Sequence, residues 1–407
     1  MTSFLQLALL LSVILVSAKL AGYLSQRIGQ PSVLGELLVG ILLGPSLLNI
    51  LELPFIDYEM AHMLKEMAEL GVMLLMFLAG MELHLSDLAK SLRPAMLGGL
   101  LGVAFPLLTG WGLGAVFGMD TPAALFLGLV MGATSVSISA QTLIELKVLR
   151  SRVGIGLLGA AVFDDILVIL LLSIFLALQG GGGTLLQVSL VVVKMIIFLG
   201  LSIAVGVWGI PWLMRRTARL PISQGVVTVA LVVMLAYGLA AELVGGMAAI
   251  TGAFLAGVMT ARTIEKERIE AGMHALAYAL FVPIFFINIG LAVNLRELTT
   301  DVYVLALAVT VAAILAKWLG AGLGARLGGM TNRESLQLGA GMISRGEVGL
   351  IVASVGTREG LVAEGEFSAI VAMVVVTTMI TPPILRALFA GNRPQPVPAD
   401  PETMAEE

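Results

Sequence analysis

Thirteen stretches of roughly 20 apolar residues, joined by short polar connections, fill the chain from residue 3 to residue 390. A helix needs about 20 apolar residues to cross a bilayer. The spans are expected at about 3–24, 32–50, 66–83, 94–118, 122–144, 153–178, 185–213, 222–241, 245–262, 273–293, 302–327, 334–356 and 366–390. The expected fold class is therefore an all-α polytopic membrane protein with 13 transmembrane helices. Only 12% of the residues are charged, against about 25% in soluble domains. So little charge could not cover a soluble surface. With no cysteine, disulfides and thiolate metal sites are excluded. His62, His84 and His274 sit near span ends, which disfavours a histidine metal cluster. The net charge of −4 carries no signal for nucleic acid. The apolar first segment lacks a basic leader and reads as a retained span. Residues 1–390 form the membrane domain, and the Pro-rich, acidic tail 391–407 is expected to be disordered and cytoplasmic. No soluble domain of useful size is expected, and neither a cofactor nor an enzymatic site.

Orientation follows from the basic residues. With thirteen spans, one side collects 17 Lys and Arg, from Lys19 and Arg27 to Arg386 and Arg393. The other side holds only Lys65, Arg296 and Arg358. A missed span would scramble this alternation downstream. The amino terminus is expected outside and the carboxyl terminus inside. Lys194, Lys317 and Arg345 fall within spans.

A weak internal repeat recurs at an offset of about 210 residues. Gly80-Met-Glu-Leu-His-Leu-Ser-Asp-Leu88 aligns with Gly290-Leu-Ala-Val-Asn-Leu-Arg-Glu-Leu298. Gly112, Gly114, Ala115 and Gly118 fall on Gly322, Gly324, Ala325 and Gly328, and Leu127-Gly128 on Leu338-Gly339. Gly35 and Gly40 resemble Gly252 and Gly257. The offset carries each span onto the seventh one further along, so the copies run in opposite directions through the bilayer. Inverted repeats place sites near the midplane, where interrupted helices meet. Two spans carry polar, Gly-interrupted runs, Gly132-Ala-Thr-Ser-Val-Ser137 and Ser344-Arg-Gly-Glu-Val-Gly349. Both are expected to be discontinuous helices that cross.

A charge at the bilayer centre costs at least about 2.5–3.5 kcal/mol on insertion scales, so such residues are functional candidates. Asp164 and Asp165 lie in the middle of one span, Lys317 in another, Arg345 and Glu347 in a third, and Thr134 and Ser135 in a fourth. Four helices thus place polar groups at one depth. Neighbouring helical residues point about 100° apart. One aspartate can pair with Lys317 while the other faces a water-filled cavity. Burial makes a carboxylate harder to ionise and a lysine harder to protonate, which favours proton exchange. A carboxylate also ligates a hard cation, so Na+ and protons can compete for one acid. Arg345 and Glu347 read as a charge network at a helix break, with Thr134 and Ser135 near the ion or bonding the interrupted backbone. Glu36 and Glu82 read as interfacial, and Lys194 as a snorkelling residue.

Gly29-Gln-Pro-Ser-Val-Leu-Gly-Glu-Leu-Leu-Val-Gly-Ile-Leu-Leu-Gly-Pro45 resembles the early signature of the second cation:proton antiporter family, in its NapA-like bacterial sodium/proton branch. Phe77-Leu-Ala-Gly-Met-Glu-Leu83, Gly132-Ala-Thr-Ser135, Phe163-Asp-Asp165 and Ser344-Arg-Gly-Glu-Val-Gly349 extend the likeness in order along the chain. The resemblance implies a homodimer in the bacterial inner membrane. It implies a core domain at about 94–178 and 302–390, a dimer domain at about 1–83 and 222–293, and a connector helix at about 185–213. It implies Na+ or Li+ at Asp165 with Asp164, Thr134 nearby, and an Asp164–Lys317 salt bridge that breaks and reforms. Two protons per cation is likewise its implication. Kef-type potassium systems of this family carry a following nucleotide-binding domain and tend to have Gln-Asp in place of Asp-Asp. Both points favour the sodium type here.

Potassium/proton exchange remains the main alternative, because selectivity rests on cavity geometry. A sodium-coupled organic-anion symporter would need a roomier pocket and has less use for the acids and Lys317. An intramembrane aspartyl protease needs acids on different helices, and Gly-x-Gly-Asp is absent. A channel would not call for an inverted repeat with broken helices.

Overall fold

The computed structural model describes residues 2–54, 56–57, 59–82, 91–179, 185–292, 300–358 and 360–390, and among them every regular element is helical. The helices are α1 (Ser3–Arg27), α2 (Ser32–Leu43), α3 (Glu59–Met81), α4 (Leu92–Val116), α5 (Thr121–Gly132), α6 (Val136–Glu145), α7 (Arg152–Gln179) and α8 (Leu185–Ala218). They continue as α9 (Gly225–Ala240), α10 (Ala249–Thr260), α11 (Lys266–Leu276), α12 (Val282–Leu291), α13 (Thr300–Leu327), α14 (Asn332–Gly341), α15 (Glu347–Arg358) and α16 (Glu364–Phe389). The tail 391–407, and the stretches 83–90 and 293–299 that carry most of the nine-residue repeat match, lie outside the described residues.

Among the described residues, nine helical segments are long and apolar enough to cross a membrane, and the chain is a multi-pass membrane protein. Ser32–Leu43 and Ala249–Thr260 are apolar but shorter. The expected span 32–50 ends early, at Leu43, because Pro45 follows Gly44 and a residue before proline is pushed out of helical conformation. A single 3₁₀ turn at Ile50–Glu52 follows. The expected span 66–83 starts earlier, at Glu59. The span expected at 273–293 is assembled from α11, a π-turn at Ala277–Phe281 and α12.

Burial differs sharply between helices. The apolar window of Thr121–Glu145 is 89% buried, whereas those of α1 and α8 are each 22% buried. The most enclosed segment is the one that is broken. Irregular backbone at membrane depth survives only where protein or a cavity surrounds it. The outer helices instead present Leu20, Ile196, Leu201 and Trp208 outward, and Lys194 is exposed on α8 as expected.

Packing falls into two groups. In one, α4 packs on α5, α7 and α13, and α13 on α14 and α16. In the other, α10 packs on α3 and α9, and α12 on α2 and α3. Close backbone approach holds the second group together. A Cβ on Gly80 would collide with the Phe254 carbonyl, and one on Gly257 with the Phe77 carbonyl. Gly40 and Gly290 meet α12 and α2 in the same manner. Small residues that admit such contact are the usual means of packing helices in lipid.

Candidate functional site

Two helices stop and restart at the same depth. Asp120 caps α5 by accepting from the Ala123 amide at 2.9 Å, and Thr331 with Glu334 forms a capping box on α14. Both helices therefore begin firmly and end inside the protein. After Gly132, Ala133 and Ser135 are extended, and α6 begins at Val136. After Gly341 the backbone is irregular until α15 begins at Glu347.

The two breaks bond to each other. The Ser135 amide donates to the Ser344 carbonyl at 2.9 Å. The Ser344 hydroxyl donates back to the Ser135 carbonyl at 2.6 Å. Ser139 Oγ donates to the Gly341 carbonyl at 2.5 Å. Carbonyls freed by an interrupted helix need donors, and two buried cations supply the rest. Arg345, fully buried, donates from Nε to Met131 O at 2.9 Å and from Nη1 to Ile343 O at 2.6 Å and Met342 O at 3.0 Å. Its Nη2 reaches Ala313 O on α13 at 3.2 Å. Lys317 Nζ donates to Gly132 O at 2.6 Å and to Asp164 Oδ1 at 2.5 Å.

Asp164 and Lys317 are both 0% exposed, and Asp165 is 6% exposed. Adjacent positions on α7 turn the two acids apart. Asp164 faces Lys317, while Asp165 Oδ2 receives a long contact, 3.5 Å, from Thr251 Oγ1 on α10. Thr251 belongs to the other packing group, so Asp165 lies where the two groups meet. Two buried oxygens, Asp164 Oδ2 and Thr134 Oγ1, have no hydrogen-bond partner among the described residues. Such oxygens are hard donors of the kind that alkali cations take.

The expected cluster of Asp164, Asp165, Thr134, Ser135, Lys317 and Arg345 is thus gathered from α5, α6, α7 and α13–α15. Glu347 opens α15, but its side chain lies outside the described residues. Arg345 bonds backbone carbonyls of both breaks and of α13. Sequence reading missed Thr251, a hydroxyl near the start of a short apolar helix. It also placed Glu36 at the interface, whereas Glu36, on α2, is only 7% exposed and packs against Gly22 of α1. Glu82 does lie near the surface, where Arg150 Nε pairs with it at 2.5 Å.

Interrupted helices whose breaks meet beside buried acids and bases define a membrane carrier of the secondary-transporter class. The chain belongs to the sodium/hydrogen exchanger family: the family described as "Sodium/hydrogen exchanger, transmembrane" matches residues 14–391. The Na(+)/H(+)-K(+) antiporter GerN of Bacillus cereus is 42% identical, over 96% of this chain and 97% of that protein. The Na(+)/H(+) antiporter of Enterococcus hirae is 36% identical, over 93% and 96%. Among solved structures, the sodium proton antiporter MjNhaP1 of Methanocaldococcus jannaschii superposes with a TM-score of 0.70. That likeness covers 96% of this chain and 98% of that one at 19% identity, and it is a likeness of fold. These relatives are named as antiporters, not as enzymes.

Proposed function

We propose that the chain is an electrogenic sodium(lithium)/proton antiporter of the bacterial inner membrane, working by alternating access. The observation that carries this reading is the charge balance at the buried centre. Among the described side chains of the centre, Asp164, Asp165, Lys317 and Arg345 sum to zero when all are ionised. A cation bound at Asp165 adds an uncompensated charge in low dielectric, where such charge is expensive. Proton release is the relief at hand. A proton returning to Asp165 or Lys317 in turn weakens the cation's hold. Asp165 and the orphaned oxygens of Asp164 and Thr134 would hold the cation, with Lys317 coupling the second charge. Two protons per cation follows from family resemblance.

The architecture proposed for this activity has thirteen spans. The nine long segments are joined by α2, α3, α10 and the α14–α15 pair. An inverted repeat relates the halves, and the packing supports it. The repeat carries α2 onto α10 and α3 onto α12. The Gly40–Gly290 contact between α2 and α12 thereby corresponds to the Gly257–Gly80 contact between α10 and α3. Gly128 against the Leu107 carbonyl likewise matches Gly339 against the Trp318 carbonyl. The first packing group would be the moving core, and the second the dimer domain of a homodimer. The amino terminus lies outside and the carboxyl terminus in the cytoplasm.

Purified protein in liposomes with an internal pH dye tests the reading, with Na+, Li+, K+ and Rb+ added separately. Dequenching by Na+ and Li+ is expected, and Asp165→Asn abolishes it while the variant stays folded. Normal exchange by Asp165→Asn would remove the site assignment. Competition also fixes a sign. If protons and Na+ compete for Asp165, lowering the pH raises the apparent KM for Na+ and leaves the rate at saturating Na+ less affected. Potassium/proton exchange is the second reading, favoured by GerN's name as a Na(+)/H(+)-K(+) antiporter. Dequenching chiefly by K+ or Rb+ would select it and keep the site.

A further inference from the structure

A chamber of about 380 Å³ lies at the opposite end of α6 from the helix break. Ser32 and Glu36 line it from α2, and Gln141 and Glu145 from α6. Each pair is four residues apart and shares one helix face. Lys19, Tyr23, Gln26, His274 and Tyr278 contribute the rest of the polar wall. Since α6 carries Glu145 at one end and meets the break at the other, its ten residues set the chamber about 15 Å from the Asp164–Asp165 centre's broken backbone. On one side of the chamber is α6, which packs on α7 and α16 of the first group and also touches α2 and α3; on the other are α1, α2 and Tyr278.

The two carboxylates that face the chamber differ in how they are matched. Glu145 accepts from the Ser32 amide at 2.7 Å, from the Ser32 hydroxyl, and from Gln141 Nε2 at 2.9 Å. Tyr278 donates to Gln141 Oε1 at 2.7 Å, and Lys19 Nζ donates to the Tyr278 carbonyl at 2.8 Å. Glu36 is more than nine-tenths buried, lines the chamber, and makes no hydrogen bond or ion pair among the described residues. A buried carboxylate without a partner is strongly disfavoured. Either a proton on Glu36 or a cation in the chamber resolves that, and the two compete for the same carboxylate.

We infer that this chamber is a second monovalent-cation site, a waiting position between the basic-loop side of the protein and the Asp164–Asp165 centre. The inference rests on the antiport reading. Glu36 supplies the charge, and the oxygens of Ser32, Gln141 and Glu145 surround the ion. The carboxyl end of α6 borders the chamber and adds its partial negative charge. Glu145 already answers the positive end of α2. Of the basic side chains on the wall, Lys19 is bound to a carbonyl and His274 stacks on the Tyr278 ring. Among the described residues no group of three or more His, Asp or Glu could hold a metal ion. A site with so few anionic ligands suits a weakly held monovalent ion in transit rather than a divalent one, which takes six or more oxygens.

The experiment has two arms on the full chain. In the first, Na+-dependent stabilisation of purified Asp164→Asn/Asp165→Asn protein is followed by thermal melting. A Na+-induced rise in Tm is expected to persist there and to vanish when Glu36→Gln is added. In the second, liposomes of known protein orientation report the apparent KM for Na+ from each face. Glu36→Gln raises KM from the basic-loop face at least about fivefold, the effect of removing one unit charge at contact even in water. It leaves the opposite face unchanged, and Glu36→Asp restores most of the loss. A merely structural role would not separate the faces. A Tm response that survives Glu36→Gln overturns the site, as does a KM change equal on both faces. If the wild type exchanges no Na+, the antiport reading falls, and the melting arm still decides the chamber.

Discussion

The two helix breaks lie against each other and free the same kind of backbone group, yet the bases that serve them are used differently. Every hydrogen bond of Arg345 among the described residues goes to a carbonyl, on Met131, Met342, Ile343 and Ala313, with a long fifth contact to Ser344. The planar guanidinium is always charged and presents fixed donors. Lys317 instead divides its ammonium between the Gly132 carbonyl and Asp164. An ammonium is a compact charge that gives up its proton readily when buried. Arg345 is therefore a permanent staple across both breaks. Lys317 is bound to an acid that can change charge, so its bond can be broken within a transport cycle.

Arg345→Ala is expected to have the largest effect. It strands several buried carbonyls, each at about 1–3 kcal/mol, which together approach the whole stability of a folded protein. Detergent-solubilised protein should lose its symmetric size-exclusion peak. Arg345→Lys should recover some folded protein but little activity, because one ammonium cannot span both breaks. A normal melting temperature for Arg345→Ala would dissolve the contrast between the bases.

Lys317→Ala comes next. It leaves Asp164 buried without its cation, a change worth about 3–5 kcal/mol when the acid stays ionised. Asp164 can take a proton instead, so the protein should fold with a lowered Tm. The double variant Lys317→Ala/Asp164→Asn should regain much of that Tm, with a coupling of about 1–3 kcal/mol between the sites. Charge moved per turnover, read on a supported membrane, should fall toward electroneutral exchange in Lys317→Ala. Unchanged charge movement would make Lys317 a second staple.

Much of this centre was legible in the sequence. Asp164, Asp165 and Lys317 stand out because ionised groups inside apolar runs are rare. Their common depth could be counted along each span. The breaks announced themselves as Gly, Ser and Thr within hydrophobic segments. What could not be read was which backbone atoms the bases would choose. Met131, Gly132, Ile343 and Met342 carry no chemical signal in their side chains, because the ligand is the carbonyl. Nor was Glu36 recognisable as buried. It lies four residues from Ser32 in a segment whose end looked like a surface, and its enclosure depends on α1 and Tyr278 arriving from 259 residues apart, the separation of the Lys19–Tyr278 bond.

The smallest expected effect sharpens the division between the neighbouring aspartates. Asp164 is held within the first packing group, by Lys317. Asp165 is reached from the second group, by Thr251 across 3.5 Å, a distance at the outer limit for a hydrogen bond. A contact so long is worth at most about 1 kcal/mol. Thr251→Val keeps the shape of the side chain and removes the hydroxyl. The variant should therefore fold normally and raise the apparent KM for Na+ by roughly threefold, within that bound. If the two groups move against each other during transport, the hydroxyl faces Asp165 in only one state, so the KM change should be larger from one face of the membrane. An equal change from both faces would mean that Thr251 travels with Asp165, and the boundary between moving and fixed parts would then have to be redrawn through α10.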